Sequence, residues 1–125
     1  MNETRKTIFL VDDDMTNLHV GKRALSNFYN VYTLGSGRAL LELLKKVTPD
    51  LILLDINMPE MDGYETIKRI KGDEKTANIP VIFLTAHNEK TAVMEGISLG
   101  AIDYLVKPIV PIRLLRRVNA FFYKK

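Results

Sequence analysis

Near the middle of the chain, residues 51–55 read LILLD, four apolar residues followed by a carboxylate. Three more apolar runs end on polar residues in the same way: residues 8–11 lead into Asp12 and Asp13, residues 81–84 into Thr85, and residues 104–106 into Lys107. Short apolar runs bounded by turn residues are typical of buried strands. If these strands are parallel, their polar ends meet at one edge of a sheet, where open α/β folds bind ligands.

The composition indicates one soluble domain, and we expect it to span residues 1–125. The chain is 46% hydrophobic and 26% charged, with no cysteine, which excludes disulfides and thiolate metal sites. The formal net charge of +3 is mild, and no aromatic residues are interleaved with the basic ones, so we expect no direct binding of nucleic acid. Without a signal peptide or a bilayer-length apolar run, the sequence predicts no membrane association and a cytoplasmic location.

Apolar runs alternate with amphipathic stretches along the whole chain, which is typical of βαβ units. Strands are predicted near residues 7–11, 30–33, 50–54, 80–84 and 102–106. Because parallel crossovers are right-handed, few topologies remain. We predict an α/β fold of the (βα)5 type: a doubly wound three-layer sandwich on a five-stranded parallel sheet of order 2-1-3-4-5, as in flavodoxin-like folds. The weak run at 31–33 should lie near an edge, and the run at 51–54 near the centre.

Local signals mark the ends of the predicted helices. Asp14 is predicted to cap the first helix, and Asp62 the third, with Glu65 as the reciprocal partner of Asp62. Asn88 is predicted to cap the fourth helix, and Gly100 to end it in a left-handed conformation. Four residues at helical spacing form the predicted buried face of the first helix: Leu18, Gly21, Leu25 and Phe28.

The predicted strand order places three carboxylates together, because Asp12 and Asp13 end the strand next to that of Asp55. At ~4 Å and an effective dielectric near 20, each ionised pair costs about 4 kcal/mol, so the cluster should recruit cations. Oxygen ligands suit Mg²⁺, and Lys107 would be a second counter-ion. Asp55 is the best-placed nucleophile toward phosphorus, and Thr85 could donate its hydroxyl to a phosphoryl oxygen. Taken alone, Thr85 and Lys107 are equally consistent with a strand-end threonine and a surface lysine.

Four segments, in this order and at these separations, resemble the receiver domain of bacterial two-component response regulators. They are VDD at 11–13, DINMPEMDG at 55–63, TA at 85–86 and GAIDYLVKP at 100–108. Any one of them is modest evidence, whereas the four together are specific, and the similarity covers nearly the whole chain. The departures from the family pattern are small: LGSG at 34–37, and Ile109 after the Lys-Pro pair.

The resemblance implies a role for each residue of the predicted cluster. Asp55 would accept phosphate from the phosphohistidine of a sensor histidine kinase or a histidine phosphotransfer protein. Asp13 would bind Mg²⁺ directly and Asp12 partly through water, with Asp55 and the backbone carbonyl of Asn57 as further ligands; Mn²⁺ can substitute. Lys107 would pair with the phosphate and precede a cis peptide bond. Such a protein is a phosphoacceptor signalling domain, not an enzyme acting on other substrates.

The resemblance also implies a switch and an output surface. The Thr85 hydroxyl would move toward the phosphate while the Tyr104 ring turns inward, and Asn57 and His87 would flank the attacking water and tune the phosphoryl lifetime. The fourth helix, fifth strand and fifth helix would form the output face. Four charged residues there are candidates for ion pairs across a homodimer, with solvated surface charge as the alternative: Glu95, Asp103, Arg113 and Arg117.

Two other functions fit part of the pattern. A haloacid-dehalogenase-type phosphatase also uses a strand-end aspartate and Mg²⁺, but it needs an acid two residues later, where this chain has Asn57. A receiver-like interaction module that works without phosphorylation usually lacks an acid, the threonine or the lysine, all of which are present here. A P-loop site is excluded because no glycine-rich loop ends in Gly-Lys-Ser/Thr.

Overall fold

The computed structural model describes residues 4–86 and 90–123, with the backbone alone for residues 90–93. Five strands alternate with five helices along these residues. The strands are β1 Thr7–Val11, β2 Asn30–Leu34, β3 Leu51–Asp55, β4 Val81–Thr85 and β5 Asp103–Val106. The helices are α1 Met15–Leu25, α2 Gly37–Leu44, α3 Gly63–Lys71, α4 Lys90–Ser98 and α5 Pro111–Tyr123. Each strand begins and ends within one residue of its predicted position.

The five strands form one parallel sheet of order β2-β1-β3-β4-β5, which confirms the predicted topology. The weakly apolar β2 lies at an edge and the LILLD strand β3 lies at the centre, as predicted. In the register, Val11 lies beside Leu54 and Asp55 beside Leu84. The residues that follow β1 and end β3 are therefore neighbours at the carboxyl edge of the sheet.

Each face of the sheet is covered by a hydrophobic layer, which explains why β1, β3 and β4 are continuously apolar rather than alternating. One layer contains Phe9, Ile52, Leu54 and Phe83 together with residues from α2 and α3, such as Leu40 and Ile67. The opposite layer contains Ile8, Leu10, Leu53 and Leu84 together with residues from α1 and α5, such as Leu18 and Leu114. Full burial of one such side chain contributes roughly 1.5–3 kcal/mol. The central strands are thereby fixed, and with them the residues at their ends.

The helix ends follow the sequence signals, with one exception. The Asp14 carboxylate accepts the Thr16 N–H at 2.8 Å, and the Asp62 carboxylate accepts the Glu65 N–H at 2.9 Å. The side chain of Glu65 does not complete the predicted reciprocal bond, because it accepts a hydrogen bond from Arg69 one turn later at 3.1 Å.

Two further expectations concern residues beyond the helix ends. Gly100 has a φ of 110°, which confirms its left-handed conformation after α4. Phe28 was wrongly assigned to the buried face of α1: the helix ends at Leu25, and the Phe28 side chain is 57% exposed. The predicted cap Asn88 lies outside the described residues.

Within the described part of the chain, no helix has both the length and the apolar character needed to cross a membrane.

Candidate functional site

The candidate site lies where β1, β3 and β5 end, and backbone hydrogen bonds beyond the strands hold its residues in place. The Asp12 N–H donates to the Leu34 carbonyl at 3.0 Å, and the Lys107 N–H donates to the Thr85 carbonyl at 2.7 Å. Asp55 is the last residue of β3. Because these backbones still belong to the sheet ladder, the side chains start from fixed positions.

Three carboxylates form a tight cluster at this edge. Asp12, Asp13 and Asp55 each offer one oxygen, and these oxygens lie within 4.8 Å of one another. Asp12 is fully buried and Asp55 is 2% exposed, whereas Asp13 is exposed. The predicted convergence of the three acids is therefore confirmed, and the cluster opens to solvent on the Asp13 side.

The ammonium of Lys107 bridges the two buried carboxylates. Its Nζ lies 2.9 Å from Asp12 Oδ2 and 3.0 Å from Asp55 Oδ1, and the lysine side chain is 17% exposed. Charge-assisted contacts of this length are strong. Three carboxylates and one ammonium leave two formal negative charges in a small volume, which one divalent cation would neutralise.

Burial and the pairing of Lys107 with the two buried carboxylates act in opposite directions on the pKa values of Asp55 and Lys107. Burial raises the pKa of Asp55 from 3.8 to about 6; the hydrogen bond from Lys107 counteracts this increase, and the charge of Asp12 adds to it. Burial alone would lower the pKa of Lys107, but its hydrogen bonds to Asp12 and Asp55 leave that pKa above its ordinary value. Lys107 therefore carries a positive charge, whereas desolvation disfavours the ionised form of Asp55.

The donor set fits an oxygen-preferring divalent cation. All three side chains supply hard carboxylate oxygens, two of them presented by the ends of neighbouring strands. The backbone N–H of Asn57 donates to Asp55 Oδ1 at 3.3 Å, which places the Asn57 peptide beside the cluster, with its side chain in solvent. The exposed Asp13 leaves a route for a hydrated ion.

The loop after Asp55 folds back tightly on its own strand, and this fold requires Gly63. The Gly63 N–H donates to the Ile56 carbonyl at 2.7 Å. A Cβ at residue 63 would lie 2.5 Å from the Asp55 carbonyl oxygen and 2.7 Å from Ile56 Cα. The glycine of the DINMPEMDG segment therefore allows α3 to begin directly against the end of β3.

The predicted switch residues are neighbours. Thr85 ends β4 and is 2% exposed, and Tyr104 lies half-buried on β5, opposite Phe83. Thr85 and Tyr104 line a cavity of about 10 Å³, together with Ile56, Phe83, Ile97, Ala101 and Asp103. The Lys107–Pro108 bond is cis, as the resemblance implied. His87, the second candidate for lifetime tuning, lies outside the described residues.

Sequence reasoning missed one residue that contacts the cluster. Asn17 Nδ2 donates to Asp12 Oδ2 at 3.1 Å, and the Asp14 N–H donates to Asp12 Oδ1 at 2.9 Å. The available signal was position: Asn17 is the third residue of the helix that Asp14 caps, and Asp14 lies only two residues after Asp12. A polar side chain on that first turn lies close to the preceding loop.

The predicted output face already contains an internal ion pair. Arg117 pairs with Asp103 of the same chain and also approaches the Tyr104 carbonyl at 3.4 Å. Glu95 and Arg113 are exposed. Two of the four charges considered for a dimer contact therefore have a partner within the chain.

Comparison with known proteins identifies the family. The family described as "Response regulator receiver domain" matches residues 8–119. A "Probable cyclic di-GMP phosphodiesterase" of Vibrio cholerae is 41% identical over 119 residues, which is 95% of this chain and 27% of that protein. The curated relatives that it matches here are longer proteins, of which the chain spans 23% to 49%.

Solved structures agree with this assignment. The chemotaxis response regulator CheY4 of Vibrio cholerae superposes with a TM-score of 0.87 at 30% identity, covering 92% of this chain and 97% of that one. The Mn²⁺-bound form of the response regulator Rcp1 has a TM-score of 0.81 at 26% identity and covers 96% of each chain. The chain therefore belongs to the response regulator receiver domains, the phosphoaccepting modules of two-component signal transduction.

Proposed function

We propose that residues 1–125 form one receiver domain in which Asp55 is the phosphoacceptor, in a reaction that depends on Mg²⁺. One observation carries this proposal: the Asp55 carboxylate is 2% exposed, lies 3.0 Å from the Lys107 ammonium and shares a 4.8 Å cluster with two other acids. The ionised form of such a carboxylate is unfavourable without a metal ion, and its oxygen is a competent nucleophile toward phosphorus.

In the proposed reaction, an Asp55 oxygen forms a bond to phosphorus while the bond from phosphorus to the donor histidine nitrogen breaks. Asp12, Asp13, Asp55 and the backbone carbonyl of Asn57 would hold the Mg²⁺, which would offset the negative charge of the phosphoryl oxygens. Mn²⁺ would substitute, and the Mn²⁺-bound neighbour Rcp1 supports this expectation. Lys107 would turn its ammonium toward the phosphoryl group.

The same site would report its phosphorylation through Thr85 and Tyr104. The phosphoryl group adds charge and acceptor oxygens at the end of β3, and the Thr85 hydroxyl would move toward one of them. Tyr104 would then turn its ring inward, into the space that the Thr85 hydroxyl leaves. Asn57 and His87 would set the lifetime of the acyl phosphate by controlling the approach of water.

The proposed partners are a sensor histidine kinase or a histidine phosphotransfer protein, with the domain acting in the cytoplasm and not as an enzyme on other substrates. A homodimer through α4, β5 and α5 is a further proposal, in which Glu95 and Arg113 remain available for contacts between chains. Sedimentation of the phosphorylated domain as a monomer would refute the dimer.

Phosphorylation by a small donor tests the central proposal. The protein is incubated with acetyl phosphate and Mg²⁺, and its intact mass is measured. We expect the addition of one phosphoryl group, which disappears in Asp55→Asn and persists in Asp73→Asn, the same change at an exposed carboxylate. An unmodified wild-type protein, or a modified Asp55→Asn, would contradict the assignment. Turnover of a phosphomonoester would instead support the phosphatase alternative.

A further inference from the structure

The carboxylate of Asp12 accepts hydrogen bonds from two groups in addition to Lys107. Oδ1 accepts the Asp14 N–H at 2.9 Å, and Oδ2 accepts both Asn17 Nδ2 at 3.1 Å and Lys107 Nζ at 2.9 Å. A carboxylate has about four lone-pair sites, so these contacts leave one of them for a cation or its water. Asp12 is fully buried, so bulk solvent does not replace a donor that is lost.

Lys107 has two roles that compete. It now bridges Asp12 and Asp55, but in the proposed reaction it would pair with the phosphoryl oxygens. As it turns, it would withdraw a donor from Asp12 Oδ2. Among the described residues, the remaining side-chain donor on that oxygen is Asn17, which is neutral and is therefore less strongly attracted to the phosphoryl group than an ammonium.

We propose that Asn17 is a positioning residue for the metal site, because its amide holds the Asp12 carboxylate so that the free lone pair faces the cation even after Lys107 has turned away. The inference rests on the proposed function. Asn17 is half-buried in the first turn of α1, directly after the cap Asp14, so the two donors that clamp Asp12 belong to one helix start. Groups on a helix hold a geometry more tightly than groups on loops.

The chemistry of the amide fits this role better than a charged side chain would. A lysine at residue 17 would compete with the cation, and an aspartate would repel Asp12. The amide N–H orients the carboxylate without changing the charge of the cluster. Removal of such hydrogen bonds behind metal ligands commonly weakens metal binding 10–100-fold.

The test is a Mg²⁺ titration of the metal-free protein followed by ¹H–¹⁵N NMR, which reports both affinity and folding. Asn17→Leu keeps the branching and the number of side-chain heavy atoms but removes the donor, and we expect a Mg²⁺ dissociation constant about tenfold higher than that of the wild type. The matched control is Asn27→Leu, the same change at an exposed residue after α1, with the wild-type constant expected. Asn17→Ala is the second variant, with the same expected loss, in case leucine disturbs the fold.

A double-mutant cycle separates positioning from a general disturbance of the helix. In the Lys107→Ala background, Asn17 is the last side-chain donor to Asp12 Oδ2 in the part of the chain that the structure describes. Asn17→Leu should therefore raise the dissociation constant by a larger factor there than it does in the wild type. Equal factors in the two backgrounds would overturn the inference.

The outcomes distinguish the inference from the proposed function. Suppose that Asp13→Asn weakens Mg²⁺ binding but the dissociation constants of Asn17→Leu and Asn17→Ala stay within a factor of two of the wild-type constant. The proposed role of Asn17 is then refuted, while the proposed metal site is supported. If the wild type binds no Mg²⁺, or Asp13→Asn binds it equally well, the metal site fails and the inference fails with it.

Discussion

Replacing Asp55 with asparagine should stabilise the metal-free protein. Asparagine has nearly the shape of aspartate but no charge to desolvate. Asp55 is 2% exposed and shares its cluster with Asp12 and Asp13, and the single ammonium of Lys107 is divided between Asp55 and Asp12. The substitution removes one buried negative charge and leaves Lys107 paired with Asp12.

The magnitude follows from the pKa of Asp55. Burial is the main cause that raises this pKa from 3.8 to about 6, and such a difference corresponds to about 3 kcal/mol. Because the pKa is higher in the folded state, the stability that the protonated group contributes is complete below pH 3.8 and is lost as the pH rises through 6. The gain in Asp55→Asn should therefore be near zero at pH 4 and reach about 3 kcal/mol above pH 7.

Urea denaturation followed by circular dichroism measures this difference, in EDTA and at several pH values between 4 and 8. Asp73→Asn is the control, because it makes the same change at an exposed carboxylate and should show no comparable dependence on pH. Mg²⁺ should narrow the gap, since a ligand that binds only the folded wild type stabilises it by mass action. The reasoning is refuted if Asp55→Asn is less stable than the wild type at pH 7.5, or if its gain is the same at every pH.

Three further changes probe the surroundings of the site and the core. Lys107→Ala removes the ammonium from two buried carboxylates and should cost about 3 kcal/mol in EDTA, measured by urea denaturation, with Mg²⁺ restoring part of the loss. Gly63→Ala should lower the free energy of unfolding by about 3 kcal/mol, because its Cβ would lie 2.5 Å from the Asp55 carbonyl oxygen, whereas Gly35→Ala, with no atom within 4 Å, should change little. Burial raises the pKa of Tyr29 from 10.0 to about 12, so the wild type should lose more stability between these pH values than Tyr29→Phe does in urea denaturation; an equal loss in both proteins would contradict this.

The fold and the acidic cluster were predictable from sequence because one physical rule fixes both. A strand buried on both faces must be continuously apolar, so the first charged residue marks its end; Asp12 and Asp55 do so to within one residue. Parallel pairing then places those ends at the same edge. Neither step requires knowledge of how any side chain is oriented.

Partner choice among side chains could not be predicted, because it depends on distances that the sequence pattern does not contain. Glu65 had two partners at helical reach, the Asp62 N–H and Arg69, and it binds Arg69. Arg117 binds Asp103 across the gap between α5 and β5, a contact that spacing along the chain does not indicate. The contact of Asn17 with Asp12 depends on the rotation of the first turn of α1, which the Asp14 cap sets.

The net charge of the carboxylate cluster explains both why the metal-free site is unfavourable and how phosphorylation would change its surroundings. Metal-free, three carboxylates and one ammonium leave two excess negative charges. Burial raises the pKa of Asp55 to about 6, and the charge of Asp12 adds to this increase. A divalent cation would bring the total to zero, so binding it removes the strain. A phosphoryl group on Asp55 would replace one negative charge by about two, and the excess would return at a point where the buried carboxylates cannot move away. The relief must then come from donors that can move, and the nearby candidates are the ammonium of Lys107 and the hydroxyl of Thr85. Both lie where their strands, β5 and β4, end, so the response to phosphate would be transmitted along the half of the sheet that carries the proposed output face.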